Sequence, residues 1–230
     1  MSASTQDTKL FPVYVFEAPV RIWHWVMALC MVVLAVTGYL IGSPLQSVGG
    51  EASDHFLFGY IRFAHFSAAY IFAVMFVLRV LWAFMGNRFA RELFSTPVGL
   101  FKADWRQGFF AQVKRYLFIK TNDHHWQGHN PLAQAGMFFM YVLGTVFMIC
   151  TGFAMYGEGL GQESWAFTLF SSWVLPLLGY SQNVHTLHHL GMWYLILFTI
   201  IHLYMVIRED LTTDLTIIST MLNGWRTLKK

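Results

Sequence analysis

Residues 184–207 read VHTLHHLGMWYLILFTIIHLYMVI, an apolar run long enough to cross a bilayer as a helix, with histidine at both ends. His188 and His202 stand fourteen positions apart. On an α-helix that spacing is roughly 21 Å of rise and about 40° short of four full turns. The two imidazoles therefore share nearly one face, one toward each side of the membrane. Ionisable side chains in hydrocarbon are costly and mark functional sites. The rest of the chain is read for partners to these two rings.

Three more runs are long enough to span: residues 22–41, 56–85 and 132–156. Together they predict an all-α integral membrane protein, with four transmembrane helices in a bundle, because open sheets cannot satisfy their backbone in lipid. Charged residues make up only 12% of the chain, about half the soluble norm of roughly 25%. Residues 1–230 are expected to form a single membrane domain. Cys30 and Cys150 lie inside apolar runs, which argues against a disulfide framework or a cysteine metal site. Residues 1–12 are polar, so no cleavable signal peptide is expected. The basic residues are scattered through loops, without a nucleic-acid-binding motif beside them.

Lysine and arginine set the orientation. Residues 86–130 carry Arg88, Arg91, Lys102, Arg106, Lys114, Arg115 and Lys120, and the tail carries Arg208, Arg226, Lys229 and Lys230. Residues 42–55 and 157–183 carry none. The positive-inside rule puts both termini in the cytoplasm and these two loops outside. The cytoplasmic loop mixes aromatics with basic residues, as a segment on the inner membrane surface does. One interfacial helix is expected near 104–119; Pro97, Gly99 and Gly108 argue against a longer one. The outer loop 157–183 is rich in aromatics and is expected to be partly helical.

This orientation assigns each histidine a depth. His24 begins the first helix on the cytoplasmic side. His65 lies in the first turns of the second helix, on the outer side. His188 is outer and His202 inner. The result is one pair at each face, His65 with His188 and His24 with His202, each joining two helices. Bis-imidazole ligation of haem in a bundle needs such pairs. A dinuclear metal site would want carboxylates nearby, and Glu17, Glu209 and Asp210 stand only at the margins. The alternative is that the four are ordinary polar residues at helix ends. Helical phase favours His188 over His185 and His189, since it lies nearest the face of His202. His185 could reach a haem propionate or be solvated. Gly191, one turn below His188, either leaves room for the flat macrocycle or packs helices.

Arg62 and Arg79 fall inside the second helix at the two proposed haem levels. Propionates in a low-dielectric site favour arginine partners, and the other reading is snorkelling to the headgroups. His124, His125 and His129 lie in the cytoplasmic loop. They are either solvated or, for one of them, able to deliver protons to a quinone. His55 reads as an outer-loop residue.

Several stretches resemble a known family. They are VFEAPVRIWHW at 15–25, GYIRFAHFSA at 59–68, GHNPLAQAGMF at 128–138, HLGMWYL at 189–195 and REDL…ISTMLNGWR at 208–226. The chain resembles, over nearly its whole length, the b-type cytochrome subunit of membrane-bound nickel–iron uptake hydrogenases. That resemblance implies two haems b in a four-helix bundle of the bacterial inner membrane. It also implies anchorage of the periplasmic small and large hydrogenase subunits, and electron transfer from the small subunit's iron–sulfur clusters to quinone. By motif it carries the ligand roles to His24 in RIWHW, His65 in RFAHF, His188 before HLGMW and His202 in IIHLYM. The family often has arginine after the last-helix outer ligand, where this chain has His189, so His189 stays open as an alternative ligand. The rival functions are a dihaem cytochrome b of another oxidoreductase (formate dehydrogenase, thiosulfate reductase or b561-type) and a non-redox membrane anchor. On the first reading the chain is the electron-transfer subunit of a hydrogen:quinone oxidoreductase. The outer loops carry Glu51, Asp54, Glu158 and Glu163, with Trp165, Phe167, Phe170 and Trp173 as candidate docking anchors or as a headgroup-level aromatic belt.

Overall fold

The computed structural model describes residues 10–46, 51, 55–119, 126, 128–212 and 216–229. Asp54, Lys120, His124, His125 and Lys230, singled out above, lie outside them. The elements in chain order are β1 (Leu10–Tyr14), α1 (Ala18–Gly42), α2 (Leu57–Met85), α3 (Ala103–Tyr116), α4 (Pro131–Leu160), α5 (Phe167–Leu178), α6 (Ser181–Thr212), α7 (Ile217–Asn223) and β2 (Trp225–Lys229). Short helical turns at Arg88–Arg91, Glu92–Phe94 and Thr96–Gly99 precede α3. The four helices long and apolar enough to span are α1, α2, α4 and α6. Each contains the run expected of it, with the exception of Phe56, which stands one residue before α2.

Local chemistry explains the helix ends. Asn130 caps α4, its side chain accepting from the Ala133 amide at 2.7 Å, and Pro131 takes the first helical position, where no amide is needed. Gly161 (φ 95°) and Gly179 (φ 101°) stop α4 and α5 in backbone conformations that a Cβ disfavours. Helix α4 begins as an α-helix and then passes through a π-helical turn over Met137–Val142. Helix α5 opens with another over Phe167–Ser171.

The chain divides into two compact units. One comprises residues 23–80 and 136–199. Here α1 meets α2 where Thr37 bonds His65. Helix α2 meets α4 through Phe66 against Tyr156 and Tyr70 against Phe153. Helix α4 meets α6 where Thr151 bonds His188, and α6 meets α1 through Trp193 against Tyr39. The four helices thus close a ring, with α2 and α6 on opposite corners. Residues 157–183 are partly helical, as expected. Phe170 of α5 stacks on Phe153, and the Ser171 hydroxyl donates to the Ala154 carbonyl at 2.6 Å. Large side chains such as Leu29, Phe63 and Leu197 remain exposed on the outer surface of these helices, which suits contact with lipid.

The other unit comprises residues 1–22, 81–135 and 200–230. Its surprise is an antiparallel ribbon of β1 and β2, with Leu10 opposite Lys229 and Tyr14 opposite Trp225. The sequence reading assigned no strand there. The ribbon packs beside a small core of Val15, Phe16, Val20, Phe89 and Ala90. Glu92 accepts from the His129 amide at 2.8 Å and pairs with its ring at 3.0 Å. Arg226 donates to the Gly128 carbonyl at 3.0 Å. Burial lowers the Arg226 guanidinium below its ordinary range, while Glu92 and Glu209 act to hold it up. Helix α3 falls where one helix was expected, near 104–119, and spans Gly108. It is tied to the end of α6 by Arg115–Glu209 at 3.2 Å. Phe101 and Phe118 flank it, among the most exposed side chains of the protein.

Candidate functional site

His65 and His188 are held by two matching devices. On α1, the Thr37 hydroxyl sends its proton to the Val33 carbonyl at 2.6 Å, and its oxygen lies 2.9 Å from His65 Nδ1 on α2. On α4, the Thr151 hydroxyl sends its proton to the Phe147 carbonyl at 2.8 Å, and its oxygen lies 2.8 Å from His188 Nδ1 on α6. A hydroxyl has one proton, and in both cases a backbone carbonyl takes it. The imidazole must therefore donate from Nδ1, which leaves the Nε2 lone pair available to a metal. A partner on the far nitrogen also fixes the ring's orientation and raises its basicity. Both threonines are buried, Thr151 almost completely.

A glycine follows each threonine. A Cβ on Gly38 would stand 3.3 Å from His65 Cε1, and one on Gly152 would stand 3.2 Å from His188 Cε1. The pair Thr-Gly thus grips each ring, bonding one edge and allowing close approach at the next. His65 lies within electrostatic range of His188, on the opposite helix of the ring of four. This donor set suits bis-imidazole haem: two rings on opposite helices, each engaged through Nδ1 so that Nε2 is the nitrogen left for a metal. Among the described residues no group of three or more histidine, cysteine or acidic side chains is placed to hold a metal ion.

The remaining expected residues fall as follows. His189 Nε2 accepts from the Trp193 indole at 3.2 Å, and its ring lies against Gly42. Its metal-competent nitrogen is therefore engaged within its own helix. His185 is exposed. Gly191 faces Met148 and Phe147, so it packs α6 on α4 instead of making room beside a ligand. Arg62 is exposed, with its guanidinium 5.7 Å from the Phe66 ring centroid. Arg79 does not snorkel: it is 4% exposed and lies over the Trp23 indole at 5.2 Å. His24 and His202 are each partly buried on their own helices. Thr37, Gly38, Thr151 and Gly152 were missed by sequence reading. The signal was the dipeptide Thr-Gly repeated in the first and third spans, VTGYL and CTGFA.

Thr151→Val keeps the shape of the side chain and removes the acceptor of the His188 Nδ1 proton. We expect haem affinity about 10–100-fold lower, in the range usual for such partners of metal-binding histidines. One haem's midpoint potential should rise, because a less basic imidazole stabilises the ferric state less. Redox titration of the visible spectrum checks this, and an unchanged potential would count against the tautomer assigned here.

A membrane bundle that presents paired imidazoles across its interior is the architecture of a b-type cytochrome of the helical membrane class. The chain belongs to the prokaryotic cytochrome b561 family, whose model matches residues 15–224. It is accordingly a multi-pass membrane cytochrome with haem b as its implied group. It is 56% identical over 217 residues to a protein of Azotobacter vinelandii named "Probable Ni/Fe-hydrogenase B-type cytochrome subunit", covering 94% of this chain and 89% of that one. A protein of the same name from Cupriavidus necator is 55% identical, covering 94% and 87%. The "Probable Ni/Fe-hydrogenase 1 B-type cytochrome subunit" of Escherichia coli K12 is 50% identical, covering 94% and 91%.

Proposed function

We propose that this chain is the dihaem cytochrome b of a membrane-bound nickel–iron hydrogenase in the bacterial inner membrane. It anchors the periplasmic small and large subunits and passes electrons from their iron–sulfur clusters to the quinone pool, as the electron-transfer subunit of a hydrogen:quinone oxidoreductase. The observation that carries the reading is the pair of Thr-held imidazoles, His65 and His188. The names of the relatives add the hydrogenase.

His65 and His188 hold the outer haem through Nε2, and His24 and His202 hold the inner one. The spacing of His188 and His202 along one helix, roughly 21 Å, divides the membrane thickness into two levels. Arg62 and Arg79 supply positive charge toward the propionates of the outer and inner group. With His65 and His188, and His24 and His202, as its holders, haem b would supply one-electron chemistry at each level, and two such groups would accommodate the two electrons of a hydrogen oxidation. The residues of the chain do the rest. The threonines keep their imidazoles oriented and basic, the apolar helices exclude water, and the arginines offset propionate charge. The positive-inside distribution puts the His65–His188 level toward the periplasm.

The docking surface is then the outer loop. Trp165 and Trp173 are both about half exposed, at 49% and 47%, whereas Phe170 is stacked inside on Phe153 and is not free to act as an anchor. Replacing Trp165 and Trp173 together with serine is expected to release the hydrogenase on gentle solubilisation and to stop hydrogen from reducing the haems. The wild type, purified in parallel, should carry both hydrogenase subunits. A wild-type preparation with haem but a different attached enzyme would reject the hydrogenase assignment. A double variant that keeps its partner would move the docking surface elsewhere.

A further inference from the structure

Three side chains beside Arg79 have no part in the arrangement above. Trp23 on α1 is 7% exposed, and Tyr141 and Thr145 on α4 are 4% and 0% exposed. The Trp23 indole nitrogen and the Tyr141 and Thr145 hydroxyls are shielded from solvent, and among the described residues no group beyond the Tyr141–Thr145 pair itself is within hydrogen-bonding reach of them. The rings of Trp23 and Tyr141 meet edge to face at 5.9 Å, and Tyr141 and Thr145 are one helical turn apart. Even if the two hydroxyls turn toward each other, one O–H and the indole N–H still lack an acceptor. Arg79 lies over the same indole at 5.2 Å, with Tyr141 among its electrostatic neighbours. The cluster therefore brings three neutral donors beside a cation.

Buried donors without acceptors are costly at membrane depth, where water does not compensate them. Tyr141 also sits in the π-helical turn Met137–Val142, and such turns recur at functional sites. We infer that Trp23, Tyr141 and Thr145, together with Arg79, form an anion subsite inside the bundle that takes a carboxylate. The carboxylate is a propionate of the haem held by His24, the residue that follows Trp23. The inference rests on the inner haem proposed above and extends its propionate contacts from Arg79 to three neutral donors. Arginine and hydroxyl or indole donors around one carboxylate make charge-assisted bonds, the strong kind in a site of low dielectric.

The test is redox-induced infrared difference spectroscopy of the purified full chain, its haem labelled with ¹³C at the propionate carboxylates. The wild type is compared with Tyr141→Phe, Trp23→Phe and Thr145→Val. Label-sensitive carboxylate bands should shift in Tyr141→Phe and Trp23→Phe. The midpoint potential of one haem should fall in these variants while the other stays, because a less screened propionate stabilises the ferric state. Haem content should stay at the wild-type level. If Tyr141→Phe does not accumulate, Trp23→Phe and Thr145→Val carry the same comparison. Label-sensitive bands that match the wild type in every variant obtained overturn the inference and leave water as the acceptor, with the dihaem reading intact. A wild type without two b-type haem signals overturns the dihaem reading and this inference together.

Discussion

Replacing His188 with alanine should remove one haem and leave the other, so that haem per chain falls by about half. On the reading proposed above His188 is an axial ligand: its Nδ1 is engaged by Thr151 at 2.8 Å, which orients the ring and leaves Nε2 as the nitrogen for a metal. A metal site that loses an axial imidazole with no nearby replacement loses its group. His185 is exposed, and the His189 ring is engaged by Trp193 in the same helix. His65→Ala should give the same loss, since that ring is held in the same way by Thr37 on the far side of the bundle. His189→Ala should keep both haems, and His24→Ala or His202→Ala should remove the other haem. Haem extracted per mole of purified chain measures all of these. Loss of haem from His189→Ala with retention in His188→Ala would reverse the assignment on α6.

Gly152→Val should act nearly as strongly without touching a ligand. A Cβ there already meets His188 Cε1 at 3.2 Å, closer than ordinary contact, and valine adds two methyl groups to it. Overpacking of this kind costs about 1–3 kcal/mol where the neighbour cannot move. Here the neighbour is an imidazole pinned to Thr151, so the ring must leave its hydrogen bond or the helices must part. The expected outcome is a chain that inserts in the membrane with about half the haem. Gly152→Ala should keep both haems but shift one midpoint potential. Haem content and redox titration of the two variants check this. Full haem content in Gly152→Val would mean that the ring is not confined at that point.

The two substitutions also separate what could be read early from what could not. The four spans, and the positions of His24, His65, His188 and His202 along them, were legible because hydropathy and helical phase are local quantities. Each is computed along one segment, and lipid leaves that segment little choice but a helix. The preference for His188 over His189 was also a matter of phase, and the two rings have different partners, Thr151 on another helix for His188 and Trp193 on the same helix for His189.

Thr37 and Thr151 were not legible. In sequence each is one more small polar residue in an apolar helix, where bonding its hydroxyl to the carbonyl one turn back is commonplace. Their role appears only in the contact with a ring 28 or 37 residues away. The same holds for Gly191, which could serve a macrocycle or a neighbouring helix until Met148 was seen against it. Arg79 could be placed along α2 but not turned: only the packing of α1 and α4 lays it on Trp23 instead of letting it reach the headgroups.

By itself, then, the amino-acid sequence determined that the chain is a bundle of membrane helices carrying histidines at two depths, and the charge of its loops predicts how that bundle is oriented. Tertiary structure decided which side chains hold the rings, which arginine is buried, and that Leu10–Tyr14 pairs with Trp225–Lys229 across almost the full length of the chain. The physical reason is the range of each interaction. Transfer into lipid and helix formation depend on residues within a few turns of one another. Hydrogen-bond partners, ring contacts and strand register depend on which distant segments the fold brings together, and a short strand or a single threonine carries no local trace of its partner.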